Sequence, residues 1–346
     1  MEIKNLEIED TMAPKEKRAK VFCYTGTGNS FVSSRMIADA LDAEIIHITE
    51  ELVESKSHVD ADVCVIVFPV YAYAMPKTMK RWIKNSTFDV KYMAVLGTIG
   101  SKHGGALGES IRLLKRRNCQ THYTMGLKCV ENFVHMFKLP NEERIDELCK
   151  KQTILTNAII EDLKERKENN RVLFRPESSF VSFIYRRATR LIASRYKVLD
   201  SCNGCGICYR VCPPRAITMV DVENKETSTN SKIAKIKSNK CDGCQACMQL
   251  CPQKAIKFAR IHPDSKYFYK HPDAKLNELF KRALEKGEKD MSKVVEEKIK
   301  NGIAIDSQET TAPLPKPVGL SEETKMRRRS MFNDVIEMRA AELDEE

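Results

Sequence analysis

Eight of the thirteen cysteines fall in two short runs that share one spacing. The runs are CNGCGICYRVCPPRAI (202–217) and CDGCQACMQLCPQKAI (241–256), and they are identical at eight of sixteen positions. Each has three cysteines at two-residue gaps and a fourth after three residues, just before a proline. Three thiolates on one tight loop can reach three corners of a metal cluster, and Gly204 and Gly243 let the backbone approach the sulfurs. The pattern predicts two 4Fe-4S clusters.

The fourth cysteine of each run begins a short helix that leads away from its own loop, which predicts crossed ligation. One cluster would then be held by Cys202, Cys205, Cys208 and Cys251. The other would be held by Cys241, Cys244, Cys247 and Cys212. Zinc is the alternative, because Cys-x-x-Cys pairs also bind zinc, but zinc does not require the Cys-Pro position. The five other cysteines, in mostly apolar stretches, are expected to be buried small hydrophobes.

A second constellation, TGTGNS (25–30), follows an apolar run at 20–24 and opens a helical pattern. Backbone N–H groups of such a loop, together with a helix N-terminus, can bind a phosphate. The loop has no Walker lysine, and Phe31 replaces the third glycine of a dinucleotide fingerprint. A tight turn without a ligand is the alternative. The predicted phosphate contacts are Thr25, Gly26, Thr27, Gly28, Asn29 and Ser30.

Two further loops follow apolar strands and could contact a flat ring. They are PVYAYAMP (69–76) and TIGSKHGGALG (98–108). Ligands of open parallel sheets bind beyond the carboxyl ends of the strands, so the three loops together predict a mononucleotide site. The predicted ring contacts are Pro69, Tyr71, Tyr73, Thr98, Gly100, Gly104 and Gly105. Ordinary loop packing is the alternative for the two tyrosines, and Trp82 is expected in a helix core.

These loops need a scaffold, and strand and helix signals alternate over the first 150 residues. Such alternation predicts an α/β fold with a doubly wound parallel sheet. The expected organisation is a flexible lead-in (1–18), a mononucleotide-binding domain (19–168), a basic connector (169–200), a small α+β cluster domain (201–270) and a charged, partly helical extension (271–346). The connector is expected to be an amphipathic helix, with a membrane-surface or RNA contact as the alternative. A helix is also predicted over 276–300. The two domains are expected to have separate cores.

The formal charge of +10, from 58 basic and 48 acidic residues, excludes little. Two clusters with their thiolates and one mononucleotide phosphate would add about −2 each, leaving roughly +4. This small remaining charge is a weak basis for predicting a nucleic-acid partner. A redox partner protein, possibly acidic, is expected instead. The sequence shows no secretory leader and no apolar run long enough to span a membrane, which predicts a cytoplasmic location.

YTGTGNS (24–30) resembles the phosphate loop of flavodoxins, and the two cysteine runs resemble those of bacterial two-cluster ferredoxins. Over about residues 19–265 the chain is similar to fused flavodoxin–ferredoxin (EFR-type) proteins of anaerobes. The resemblance implies a flavodoxin-like five-stranded parallel sheet, FMN in the first domain, and electron transfer between flavin and clusters. Ser30 stands where many flavodoxins have threonine. An FMN-dependent reductase of a small molecule and an electron-delivery subunit of a larger complex are the alternative functions.

Overall fold

The computed structural model describes residues 19–100, 104–170, 184, 189, 191–224, 229–258 and 268–281. The predicted lead-in, most of the connector and the extension beyond 281 lie outside the described residues, and so do the expectations made for them. No helix of the described part is long and apolar enough to cross a membrane.

The first domain is built on a parallel sheet with the strand order β2-β1-β3-β4-β5. Its strands are β1 (Ala19–Cys23), β2 (Glu44–His47), β3 (His58–Pro69), β4 (Thr87–Ile99) and β5 (Tyr123–Lys128). Its helices are α1 (Asn29–Leu41), α2 (Glu50–Glu54), α3 (Lys77–Asn85), α4 (Ala106–Lys115) and α5 (Glu142–Lys164). This strand order is the flavodoxin-like one, with its switch point between β1 and β3. The predicted fold class is confirmed.

Both faces of the sheet are covered, which explains the continuous apolar run in the middle of β3. Ile66 and Phe68 pack into the core on one face, while Val65 and Val67 pack into the core on the other. Trp82 of α3 is fully buried, and its ring centroid lies 4.6 Å from that of Phe22. The expectation that Trp82 is a core residue is therefore confirmed.

The second domain is small and repeats one unit twice. Short helices α6 (Ile207–Arg210) and α7 (Ala246–Gln249) contain the third cysteine of each run and end before the fourth, so the expectation that the fourth cysteine begins a helix is wrong. Strand β6 (Tyr196–Val198) pairs antiparallel with β9 (Ile256–Phe258), and β7 (Ile217–Asn224) pairs antiparallel with β8 (Thr229–Ile236). The backbone repeats as well, because Gly204 and Gly243 have φ of 70° and 76°. A side chain at Gly204 would also clash with the carbonyl of Lys232.

The two domains share a core, so the expectation of separate cores is wrong. Phe31 and Val32 of α1 belong to one buried cluster with Val211 and Leu250, which follow the two short helices of the cluster domain. Ala274, Leu276 and Leu279 complete this cluster from the chain beyond it. Apolar side chains on the outer face of α1 are covered by the second domain instead of solvent, which a reading of each domain alone does not reveal. The helix predicted from residue 276 is present in its described part only as a 3-10 turn, Asn277–Leu279.

Candidate cofactor sites

One cavity is lined by Cys251 of the second run together with the first three cysteines of the first run, Cys202, Cys205 and Cys208. Burial raises the pKa of the Cys208 thiol, and the pKa is raised further by the thiolates of Cys251, Cys205 and Cys202. Burial likewise raises the pKa of Cys205 to about 11, and the charges of Cys251 and Cys202 raise it further. Like charges shift one another strongly only at short range. The structure thus brings Cys251 to the first run, as crossed ligation requires.

The second set forms in the same way around Cys247. Burial is the largest cause that raises the pKa of this thiol. The pKa is raised further by neighbouring thiolates, namely those of Cys241, Cys244, Cys212 and Cys208. Cys212 comes from the first run, so the exchange is reciprocal. Cys208 belongs to the other set, which places the two sets next to each other.

Backbone amides stabilise charge on the sulfurs. Ala216 N donates to Cys212 Sγ at 3.2 Å, and the equivalent Ala255 N donates to Cys251 Sγ at 3.4 Å. Gly243 N donates to Cys241 Sγ at 3.3 Å. Among the described residues, no three His, Cys, Asp or Glu side chains are grouped to hold a single metal ion. Four neighbouring cysteine side chains with backbone amide donors fit a cubane, because its iron atoms would neutralise the repelling thiolates.

The predicted phosphate loop lies between β1 and α1, and Gly28 has φ of 114°, which favours glycine. Its side chains are engaged within the protein. Ser30 Oγ shares a 2.8 Å hydrogen bond with Thr98 Oγ1, and Asn29 Nδ2 donates to the Val130 carbonyl at 3.1 Å. The hydroxyl of Thr27 accepts a hydrogen bond from Asn132. The loop therefore fits a phosphate mainly through the backbone N–H groups at the start of α1.

The predicted ring loops lie at the same sheet edge and touch each other. A side chain at Gly104 would clash with the ring of Tyr73, and a side chain at Gly100 would clash with the Glu131 carboxylate. The loop before α3 is strained, because Ala72 and Tyr73 have φ of 44° and 62°. Strain of this kind in non-glycine residues is typical of ligand sites.

Tyr71 lies on the other side of its loop, toward the phosphate loop. Its hydroxyl is 3.3 Å from the position that a Cβ on Gly26 would occupy. The ring also meets Tyr24 edge-on at a centroid distance of 6.5 Å. Tyr71 is thus placed between the predicted phosphate and ring contacts, whereas Tyr73 packs against Gly104.

Sequence reasoning missed Asp242, which fixes the second cysteine loop to the first domain. Its Oδ2 accepts hydrogen bonds from Tyr24 Oη at 2.9 Å and from Thr78 N, in the first turn of α3, at 3.1 Å. Asp242 is almost fully buried, and burial raises its pKa. The one available signal was the internal repeat, where Asn203 holds the equivalent position.

The phosphate loop and the second cysteine loop are in direct contact. A Cβ added to Gly26 would lie 2.9 Å from the Cys244 carbonyl oxygen and 3.4 Å from the Cys244 Cβ. Only glycine permits this approach without displacement of one loop. The second thiol set therefore lies beside the predicted phosphate site.

Comparison with known proteins agrees with this division of the chain. Residues 201–255 match the 4Fe-4S dicluster domain family. The chain therefore joins a flavodoxin-like domain to a ferredoxin-type 4Fe-4S domain. No curated protein matches the sequence.

Several solved structures resemble the first part of the chain. A flavodoxin from the domain Archaea has 13% identity over 41% of this chain and 98% of its own, with a TM-score of 0.25. A Streptococcus pneumonia flavodoxin has 16% identity over 40% and 98%, also with a TM-score of 0.25. A Lactobacillus acidophilus flavoprotein in complex with FMN has 10% identity over 32% and 92%, with a TM-score of 0.25. At these scores the likenesses carry no argument, and the fold assignment depends on the strand order.

Proposed function

We propose that this chain is an electron-transfer protein of anaerobic metabolism that holds two 4Fe-4S clusters and one FMN. When bound, the clusters exchange single electrons, and a flavin exchanges one or two. The observation that carries the proposal is the contact between Gly26 and Cys244, because it joins the predicted flavin loop to a predicted cluster loop. Two carriers that merely shared a chain would not require that contact.

The chain's own residues would keep the two sites in a fixed relation. Asp242 receives hydrogen bonds from two elements of the first domain, and Lys77 Nζ donates to the Cys241 carbonyl at 3.4 Å. On the far side of the interface, Glu50 N donates to the Pro213 carbonyl at 3.0 Å. These bonds flank both cysteine runs, which supports a rigid arrangement rather than two tethered domains.

Composition tests the proposal directly. Protein purified without oxygen should contain about eight iron atoms and about eight sulfides per chain, since each cubane has four iron atoms and four sulfides. It should also contain about one FMN per chain. Stoichiometric zinc with little sulfide would refute the cluster assignment. Full iron with no flavin, or with FAD instead of FMN, would refute the flavin assignment alone.

A further inference from the structure

A segment beyond the cluster domain, residues 268–281, crosses the predicted phosphate loop. His271 N donates to the Thr27 carbonyl at 2.9 Å, and Tyr269 Oη donates to Asn29 Oδ1 at 2.5 Å. The Cβ atoms of His271 and Ala274 lie 2.9 and 3.0 Å from the position that a Cβ on Gly28 would occupy. The segment thus lies directly against the loop at the N-terminus of α1.

The side chain of His271 has a buried polar atom that the described part of the chain does not use. The residue is fully buried. Its Nδ1 accepts a hydrogen bond from Asp273 N at 3.2 Å, so the proton of the neutral ring is assigned to Nε2. Burial lowers the pKa of His271 to about 4, which leaves the ring neutral at pH 7. Nε2 has no hydrogen-bond partner among the described residues.

A buried donor without an acceptor is rare in folded proteins and calls for an explanation. The backbone N and the Cβ of His271 lie against the loop at the N-terminus of α1, whose backbone N–H groups favour an anion. Lys270 and Arg35 are close enough for their charges to act on the ring, and Asp273 is the opposing charge. Glu278 pairs with Arg35 at 2.9 Å, so the charges around the ring roughly balance, and the attraction for a phosphate comes from the Nε2 donor and the N–H groups of the helix N-terminus.

We propose that His271 Nε2–H donates a hydrogen bond to the phosphate monoester bound by the 25–30 loop, which we take to be the FMN phosphate. The inference rests on the proposed function. It makes the phosphate site composite, because a residue from beyond the cluster domain completes a site of the flavodoxin-like domain. FMN binding then depends on residues outside that domain.

The test compares FMN with riboflavin, which lacks the phosphate. The binding of both is followed by flavin fluorescence, in protein whose clusters are intact by iron analysis. His271→Ala should weaken FMN binding about tenfold or more, as expected for loss of one hydrogen bond to a charged group. Riboflavin binding should change less than about twofold, since it offers no such group. His271→Gln, which keeps a donor, should recover part of the FMN affinity.

Asp273→Ala is the matched control, because it alters the same turn without removing the donor. Since it removes a negative charge near the ring, it should not weaken FMN binding. Equal weakening of FMN and riboflavin by His271→Ala would overturn the inference, since His271 would then only support the loop. Weaker competition by inorganic phosphate with unchanged FMN binding would also overturn it, in favour of a site for free phosphate. Wild-type protein with full iron and no affinity for FMN would instead refute the proposed function.

Discussion

Cys212 and Cys251 are the two residues that tie the cysteine runs together, and each lies among the thiols of the other run. Cys212→Ala should therefore remove the cluster of the second run, although Cys212 belongs to the first. Iron should fall from about eight to about four atoms per chain, with FMN retained. Iron analysis and low-temperature magnetic resonance of the reduced protein measure this.

The control is a set of equivalent substitutions. Cys212→Ala should give the same residual spectrum as Cys241→Ala, and Cys251→Ala should give that of Cys202→Ala. Cys119→Ala, at a buried cysteine outside both sets, should leave iron unchanged. If the Cys212→Ala spectrum matches that of Cys202→Ala instead, ligation is not crossed.

Gly26 and Gly28 lie in one loop but face different neighbours, so substitutions at the two positions should have different effects. Gly28→Ala adds a side chain at φ of 114° and against His271, and it should reduce flavin content while iron stays full. Gly26→Ala adds a Cβ 2.9 Å from the Cys244 carbonyl, and it should also alter the magnetic spectrum of the second cluster. An unchanged cluster spectrum in Gly26→Ala protein would show that the two loops do not touch.

At the scale of elements, one ion pair adds to the contacts that hold the segment 268–281 against α1. Arg35 Nη1 donates to both carboxylate oxygens of Glu278 at 2.9 and 3.0 Å, and Arg35 Nη2 donates to the Asp273 carbonyl at 2.9 Å. Arg35→Ala should lower the free energy needed to open this segment locally by at most about 1 kcal/mol, because ion pairs that are partly exposed to solvent contribute little.

Hydrogen exchange measures this loosening. Amides of 269–279 should exchange up to about fivefold faster in Arg35→Ala protein, and amides of β3 and β4 should not change. Lys91→Ala is the matched control, since it breaks a surface pair of Lys91 with Asp62 (2.7 Å) far from the segment. Equal exchange of 269–279 in both variants would contradict the assigned role of Arg35.

How much of each element could be predicted depended on its apolar content. The interior of β3 was visible as the run Val63–Phe68, but its first part was not. That part, from His58, alternates buried and exposed residues and pairs with the start of β4. Helix α2 was missed because its five residues have almost no apolar pattern and are fixed by the Thr49 cap.

The cysteine and phosphate loops could be predicted because local spacing defines them. His271 and Asp242 could not, because their roles come from contacts between segments about 160 to 240 residues apart in the sequence. A lone histidine in a polar stretch and an aspartate in a turn have no distinguishing pattern. The shared core was hidden for the same reason.

At the scale of the whole molecule, three histidines that are partly or fully buried make stability depend on pH. Burial lowers the pKa of His47 and His135 to about 3 and that of His271 to about 4, from 6.5. At pH values between the lowered pKa and 6.5, the unfolded chain binds more protons than the folded protein does. The stabilisation is therefore complete above pH 6.5 and is lost as the pH falls. At pH 5.5, each of these histidines should lower the free energy of unfolding by about 1 kcal/mol.

Urea unfolding at pH 7.5 and 5.5 measures the difference. His47→Gln should reduce the loss of unfolding free energy between the two pH values by about 1 kcal/mol, with iron content checked at both. His58→Gln, at an exposed histidine of β3, is the control and should leave the loss unchanged. An equal pH response in His47→Gln and wild-type protein would show that His47 is not buried in its neutral form.

The central claim is that electrons pass between the clusters and the flavin through the contact of Cys244 with the phosphate loop. The most direct measurement is anaerobic rapid mixing with a low-potential one-electron donor, with cluster and flavin absorbance followed separately. In wild-type protein the flavin should be reduced after the clusters. In Cys212→Ala protein with confirmed cluster loss and retained FMN, flavin reduction should be at least about tenfold slower, since its neighbouring carrier is gone. Flavin reduction at the wild-type rate in that variant would contradict the account.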